Sequence, residues 1–281
     1  MVRTARQLKA LVRNMSKGNS AKAQVIIRNY VMERFLERLS LSNYRNNLIL
    51  KGGTLVSAIV GLDNRSTMDM DATIKNLPLS EESALRIVEE IAAIEIDDCM
   101  TFEVKGVTYI MESADYPAIR VSLEATLETM RTPLKIDFST GDVITPKEIE
   151  YSYKLLFEER TITIMAYNLE TVLAEKLETL LVRGTANTRM RDFYDIYALE
   201  DMEGSKIDSK VLRAAFKNTS EKRGSLAVVA DMEMVLSEIE RSAEMESLWE
   251  NYRHKYEYAA MIGWGAVMQA VKRLCNIASG A

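Results

Sequence analysis

The stretch LILKGGTLVSAIVGLDNRSTMDMD, from Leu48 to Asp71, decides the fold of this chain of 281 residues. Its first residues, 48–50, form a short apolar run that predicts a buried strand. The turn Lys-Gly-Gly-Thr at 51–54 follows and predicts the start of a helix that reaches about Gly61. After a polar loop, apolar and polar residues alternate from Met68 to Lys75, which predicts a half-buried strand. The predicted order is therefore strand, glycine turn, helix, loop and strand.

Two carboxylates, Asp69 and Asp71, stand on the second predicted strand. Because successive side chains of a strand point to opposite faces, these two point the same way, about 7 Å apart. Such hard oxygen ligands can hold Mg²⁺, while the N-terminus of the predicted helix offers N–H groups to phosphates. Either feature alone is common on solvated strands and in ordinary turns. Together they make a Mg²⁺-triphosphate site and a purely structural role equally good interpretations.

A third carboxylate, Asp137, belongs to a later stretch, PLKIDFS at 133–139, that alternates in the same way. If this strand lies beside the strand of Asp69 and Asp71, the sheet presents three acids, as two-metal phosphoryl transfer requires. Taken by itself, Asp137 is better explained as an ordinary outward-facing acid.

These motifs resemble those of the polymerase-β-type nucleotidyltransferases, and more narrowly those of the AbiEii toxins of type IV toxin–antitoxin and phage abortive-infection systems. The shared elements are Gly-Gly-Thr at 52–54, Arg-x-Thr-x-Asp-x-Asp at 65–71, Lys-x-Asp at 135–137, Glu-Lys-Leu at 175–177 and Arg-Met-Arg-Asp-Phe-Tyr-Asp at 189–195. The resemblance covers about residues 20–200 in the right order. The stretch between Gly53 and Asp69 is longer than in the general superfamily pattern.

The resemblance implies an α+β fold with a polymerase-β-like mixed sheet, flanking helices and a helical C-terminal domain. It implies transfer of a nucleoside monophosphate from an NTP to RNA, in particular the 3′ end of tRNA, with two Mg²⁺ ions and a cognate antitoxin encoded alongside. Carried over residue by residue, it assigns the metal to Asp69, Asp71 and Asp137, and further catalytic roles to Lys176, Asp192 and Asp195. The nucleotide-binding candidates are Lys51, Gly52, Gly53, Thr54, Arg65, Thr67, Lys176 and Arg191.

Lys176 stands inside the apolar stripe of a predicted helix that runs from Leu169 to about Val182, with Asn168 as its N-cap. A lysine in such a stripe either extends its amine to the edge of the apolar surface, which is commoner, or meets a buried anion. The expected triphosphate favours the second interpretation. In that case the loss of Lys176 should impair transfer without lowering stability.

Asp192 and Asp195 are three residues apart and so share one face of the next predicted helix. On residue chemistry alone, the better interpretation is a pair between Arg191 and Asp195 that stabilises an exposed helix by about a few tenths of a kcal/mol. The resemblance instead favours Asp192 or Asp195 as the group that orients Lys176 or an arginine in contact with the nucleotide.

The composition excludes several classes of protein. The longest uncharged run, 259–271, is too short to span a bilayer, and no apolar run resembling a secretory signal stands near the N-terminus, so a cytoplasmic protein without a membrane anchor is expected. A single histidine makes a Ser-His-Asp or Cys-His enzyme improbable and excludes a multi-histidine zinc site. Cys99 and Cys275 are far apart and are expected to be free thiols.

The charge is uneven along the chain. The net charge is −5, yet residues 1–40 hold nine Lys or Arg against two Glu, a net of +7. This basic segment is either a handle for RNA phosphates or a set of solvated helix faces, and the two interpretations are equally good.

The coarse pattern predicts a catalytic domain at 1–160 and a helical domain at 161–281, with the site in a cleft between them. Helices are predicted at 4–15, 20–40, 81–96 and from 169 onward, and further strands at 102–111, 118–128, 134–138 and 161–166. Two alternatives stay open: a nucleotidyltransferase that acts on an antibiotic or protein hydroxyl, and a nucleotide-binding regulatory protein without turnover. Three intact acids argue against the second, because a sensor need not keep the acid that activates the acceptor.

Overall fold

A computed structural model of the protein describes residues 1–113 and 116–280. The chain divides into two compact units. The first consists of Met1–Ala58, Ser66–Asp142 and Ile149–Ala166, and the second of Ile59–Arg65, Val143–Glu148 and Tyr167–Ala281. The domain boundary predicted near residue 160 stays a prediction.

Within the described residues, the first unit contains a mixed sheet of seven strands. They are β1 (Leu48–Lys51), β2 (Met70–Ile74), β3 (Met100–Ser113), β4 (Tyr116–Leu127), β5 (Met130–Thr140), β6 (Ile149–Lys154) and β7 (Thr161–Ala166). Their order across the sheet is β3-β4-β5-β2-β1-β7-β6. The strand β2 is antiparallel to β1 but parallel to β5, so the predicted neighbourhood of the strands with Asp71 and Asp137 is confirmed.

Four helices are described before residue 100, namely α1 (Ala5–Ser16), α2 (Ser20–Leu41), α3 (Gly52–Val60) and α4 (Glu81–Ala92). Thr4 and Gln7 form a capping box that starts α1, and Ser80 caps α4. The long helix α2 packs against β5 and β7, while α4 packs against β3 and β4. The core of this unit includes Phe35 and Phe138, neither of which is exposed.

Three local predictions differ from the structure. Met68 was expected on the buried face of the strand, yet it is 41% exposed and β2 begins only at Met70. The helix predicted to reach Ile96 ends at Ala92. The β-branched Ile94 and Ile96 that follow are weaker helix formers than Ala92 and Ala93. The edge strand β6 was not predicted, although Ile149, Tyr151 and Tyr153 alternate with polar residues; only one of its six side chains is buried.

The second unit is helical, as predicted from Leu169 onward. Its helices are α5 (Leu169–Arg183), α6 (Met190–Glu203), α7 (Ser209–Lys222), α8 (Leu226–Ala230), α9 (Met232–Arg241), α10 (Ala243–Lys255) and α11 (Trp264–Ser279). Helix α6 packs against α11, where the rings of Phe193 and Trp264 lie 5.4 Å apart. Over residues 1–113 and 116–280, no helix is long and apolar enough to cross a membrane.

Candidate active site

Two of the three candidate metal ligands lie opposite each other in the sheet of the first unit. In the parallel pair of β2 and β5, Asp71 is the direct partner of Asp137. Directly paired residues of neighbouring strands present their side chains on the same face. Asp69 immediately precedes β2, two residues before Asp71. The sheet therefore brings Asp71 and Asp137 together on one face, and Asp69 immediately precedes the first residue of β2.

The glycine turn is shaped around Asp71. Gly52 has φ +59°, and a Cβ at this position would lie 2.8 Å from Cγ of Asp71, so a side chain would overlap the carboxylate. The next residue, Gly53, donates its backbone N–H to Oδ2 of Asp71 at 3.0 Å. The N-terminus of α3 thus stabilises the negative charge of Asp71. The phosphate contacts expected from Gly52 and Gly53 stay predictions.

Two threonines fix the backbone at Asp69. The hydroxyls of Thr54 and Thr67 both donate to the carbonyl oxygen of Asp69, at 2.9 and 3.2 Å. In this structure the two residues position the first acid, and their predicted contact with the triphosphate stays a prediction.

The first unit also contains a cation near the acids that the sequence did not single out. Arg120 lies on β4, and its Nε and Nη2 donate to Oδ1 and Oδ2 of Asp137 at 2.7 and 2.6 Å. This hydrogen bonding raises the pKa of the Arg120 guanidinium, and the charges of Asp69 and Asp71 raise it further. We call Asp69, Asp71, Asp137 and Arg120 the acid cluster. Its three carboxylates exceed its one cation.

Lys51 is buried and pairs with an acid that the sequence analysis did not identify. Its Nζ lies 3.2 Å from Oδ2 of Asp142, which also accepts hydrogen bonds from the hydroxyls of Thr73 and Ser139 at 2.6 and 2.5 Å. Burial alone would raise the pKa of Asp142, but the charge of Lys51 and the two hydroxyls hold it at about 2. The predicted contact of Lys51 with nucleotide stays a prediction.

The second unit holds the remaining candidates in a second charged group. Lys176 Nζ donates to Oδ1 of Asp192 at 2.9 Å and to Oδ2 of Asp195 at 2.7 Å. Arg65 donates to both oxygens of Asp195, at 2.8 and 3.2 Å. We call Lys176, Arg65, Asp192 and Asp195 the lysine cluster. Its two acids and two cations balance.

The lysine cluster keeps its members charged. Burial would raise the pKa of Asp195, yet Arg65 and Lys176 hold it at about 2. Burial would likewise lower the pKa of Lys176, but Asp192 and Asp195 outweigh this effect and raise it. Lys176 was expected to meet a phosphate, whereas in this structure its anionic partners are the two aspartates. The predicted contacts of Lys176 and Arg65 with the triphosphate stay predictions.

Arg191 does not form the pair with Asp195 that residue chemistry alone predicts. It donates to the hydroxyl of Tyr256 at 3.2 Å and lies 5.8 Å from the centre of that ring. The other arginine of the motif, Arg189, is half exposed and lies 3.0 Å from Oδ2 of Asp192. The partners of Asp195 are therefore Arg65 and Lys176, and the predicted role of Arg191 in nucleotide binding stays a prediction.

The acid cluster suits a divalent cation by its chemistry, though not as a complete set of protein ligands. Among the described residues, no group of three or more His, Cys, Asp or Glu side chains is arranged to hold one metal ion. The carboxylates of Asp69 and Asp71 are hard oxygen donors, and Asp137 shares its oxygens with Arg120. Mg²⁺ is commonly bound by one or two carboxylates together with substrate phosphates and water. The cluster fits a cation that arrives with such further ligands.

Comparisons with known proteins place the chain in a family. The model of the nucleotidyl transferase AbiEii toxin family of type IV toxin–antitoxin systems matches residues 34–271. Similar solved structures include a candidate nucleotidyltransferase from Helicobacter pylori, with 14% identity over 92% of this chain and 95% of that one, at a TM-score of 0.50. Another is JHP933 from Helicobacter pylori, with 16% identity over 92% of each chain, also at 0.50. A search of curated proteins found no match.

At these identities the two solved structures support only the fold. The activity follows from the match to the family model. The α+β architecture with a mixed sheet and flanking helices agrees with both comparisons. The chain belongs to the AbiEii nucleotidyltransferase toxins of type IV toxin–antitoxin systems and is a nucleotidyltransferase.

Proposed function

We propose that this toxin transfers a nucleoside monophosphate from an NTP to a hydroxyl of RNA with the help of Mg²⁺, and that the acceptor is the 3′ end of tRNA. Such a modification would block aminoacylation and so arrest translation in the cytoplasm until the antitoxin counteracts it. The observation that carries the proposal is the pairing of Asp71 with Asp137 on parallel strands beside the glycine turn. Asp69 adds a third carboxylate, so the local charge favours a cation.

The acids have distinct roles in this proposal. Asp69 and Asp71 would hold the metal, and Asp137 would complete the site beside the acceptor. A bound divalent ion neutralises phosphate charge and lowers the pKa of an attacking hydroxyl. Asp137 helps the acceptor hydroxyl lose its proton as its oxygen bonds to the α-phosphorus and pyrophosphate leaves.

Lys176, a member of the lysine cluster, would contact the triphosphate. Lys176 is held in its charged form by Asp192 and Asp195, and Asp195 also binds Arg65. Two cations on one buried carboxylate restrict each other's positions, so Asp195 orients both. We assign Lys176 to the phosphates, and Asp192 and Asp195 to its orientation.

The basic N-terminal segment contributes fewer exposed charges than its sequence suggests. Arg34 and Arg38 are buried, Arg34 against Glu33 and Arg38 against Asp98. On α1, the exposed cations Arg6, Lys9 and Arg13 follow the i, i+3, i+7 spacing of one helix face, while Leu8 and Val12 are buried. This basic face of α1 (Arg6, Lys9 and Arg13) is the surface that we propose for RNA phosphates.

The activity is tested by incubating the protein with each labelled NTP, Mg²⁺ and total bacterial RNA, followed by sequencing of the labelled species. We expect label at tRNA 3′ ends with release of pyrophosphate, and none after chelation of the metal. Label on protein, or on an antibiotic in parallel incubations that contain one, would instead identify a transferase with another acceptor. Binding of NTP without pyrophosphate release under any acceptor would indicate a regulatory protein.

The RNA surface is tested by replacing Arg6, Lys9 and Arg13 with Gln. Because each phosphate contact releases counterions, losing three contacts should reduce the slope of log affinity for tRNA against log salt by up to about three. The matched control replaces three exposed cations elsewhere, Arg131, Lys210 and Lys217, with Gln. Equal slopes in the two triple variants would show that the basic face of α1 is only a solvated helix surface.

A further inference from the structure

Arg120 forms an ion pair with Asp137, the acid that the proposed reaction needs beside the acceptor. Arg120 and Asp137 are direct partners in the antiparallel pairing of β4 and β5. The guanidinium binds both carboxylate oxygens, and the side chains are 29% and 12% exposed, so the contact is partly shielded from water. A bidentate pair of this kind is charge-assisted and geometrically specific.

The pairing competes with metal binding in two ways. A guanidinium fork on both oxygens occupies the outward-pointing lone pairs, between which a metal chelated by the same carboxylate would sit. In addition, the positive charge of Arg120 acts on Asp69 and Asp71 as well as on Asp137, and it repels a divalent cation. Arg120 therefore lowers the affinity of all three acids for a metal while the pair is closed.

A bound nucleoside triphosphate changes the competition between Arg120 and the metal for Asp137. Its phosphates bring several negative charges and further oxygen ligands for a divalent ion. They also match the guanidinium fork as well as a carboxylate does, so Arg120 gains an alternative partner when the nucleotide is bound. An alternative partner for Arg120 lowers the cost of releasing Asp137.

We propose that Arg120 is a positioning residue that withholds Asp137 from a divalent cation until a nucleoside triphosphate is bound. Metal binding at the acid cluster thereby depends on the nucleotide. Asp137 joins Asp69 and Asp71 as a metal ligand only when substrate is present. The inference rests on the proposed function in one respect, that the three acids are the metal ligands.

The experiment titrates Mn²⁺ into the nucleotide-free protein by calorimetry and compares four variants. Arg120→Gln removes both the charge and the fork, and it should bind Mn²⁺ about tenfold more tightly, as expected for the loss of a competing charge-assisted bond. Arg120→Lys keeps the charge without the fork and should give a smaller gain. Arg131→Gln, which removes an equally charged side chain next to Glu124 on the same sheet, should bind like the wild type. Arg120→Gln combined with Asp137→Asn should lose the gain.

The same titration is repeated with a non-hydrolysable NTP analogue. In the wild type the analogue should tighten Mn²⁺ binding strongly, and in Arg120→Gln the ratio of affinities with and without the analogue should shrink by the same factor of about ten. This second measurement uses no acceptor and no turnover, so it is independent of the nature of the RNA target.

Two results would overturn the inference. Mn²⁺ binding that is unchanged in Arg120→Gln would show that the pair does not compete with the metal, and weaker binding would show that Arg120 braces Asp137 in a metal-ready position. Thermal melts verify that each variant is folded. If Arg120→Gln is unfolded, the Mn²⁺ affinity of Arg120→Lys alone tests the inference: tighter binding than in the wild type supports it, and unchanged or weaker binding overturns it. If Arg120→Gln tightens Mn²⁺ binding while no RNA is labelled, the acceptor assignment fails and the inference stands.

Discussion

The acid cluster and the lysine cluster contain the same kinds of groups but are balanced differently. The acid cluster has three carboxylates and one guanidinium, and Arg120 is partly exposed. The lysine cluster has two carboxylates and two cations, and the side chain of Asp195 is not exposed at all. A buried, balanced group is complete without a ligand, whereas an excess of negative charge near the surface attracts a cation. Removing a charge should therefore cost activity in the first cluster and stability as well in the second.

The largest effect is expected from Asp71→Asn in the acid cluster. The amide keeps an oxygen for the N–H of Gly53 but loses the charge that the metal requires, so pyrophosphate release should fall by roughly a thousandfold. The melting temperature should stay the same or rise, because repulsion from the neighbouring acids decreases. A large fall in melting temperature would show that the acid cluster is as structural as the lysine cluster.

Asp195→Asn should separate the two clusters most clearly in stability. It leaves Arg65 and Lys176 buried with one full counter-charge between them, and breaking a buried pair costs about 3–5 kcal/mol. For a chain of this size we expect the melting temperature to fall by roughly 10 °C. The matched control is Asp201→Asn, an exposed acid on the same helix. If both variants melt like the wild type, the lysine cluster is not structural.

The sequence predicts the faces of these elements better than the partners of their side chains. Alternation placed Asp71 and Asp137 on sheet faces, and the helical stripe placed Lys176 among apolar neighbours. Alternation does not give strand register, so it could not show that Arg120 would lie opposite Asp137, although both stand on predicted strands. Asp142 was missed for a related reason, because its partners Lys51 and Thr73 come from strands far away in the chain.

Lys176→Met sharpens the comparison within the lysine cluster. The sequence alone predicted an unchanged stability, but the structure shows two carboxylates that would lose a partner. Asp195 keeps Arg65 and Asp192 keeps Arg189, so the expected loss is smaller than for Asp195→Asn, about 2–3 kcal/mol. Transfer should also be impaired, since methionine retains the stem without the charge. Full activity in this variant would reduce Lys176 to a packing role.

The smallest expected effect is the pH dependence of stability that Asp195 contributes. It is measured as the change in melting temperature between about pH 5 and pH 3. The pKa of Asp195 is about 2 in the folded protein, below its value of 3.8 when unperturbed. A depressed pKa means that the unfolded chain binds the proton more readily, so the stabilisation is fully present above the unfolded pKa and is lost as the pH falls towards the folded one. The shift corresponds to about 2 kcal/mol.

The wild type should therefore lose stability progressively below about pH 4, and Asp195→Asn should show a flatter profile because it has no carboxylate to protonate. Asp142, with the same depressed pKa beside Lys51, keeps its own contribution in this variant, so part of the acid dependence should remain. Asp201→Asn again serves as the control. Parallel profiles for the wild type and Asp195→Asn would mean that Asp195 gains nothing from its two cations, and that the balance of the lysine cluster does not stabilise the fold.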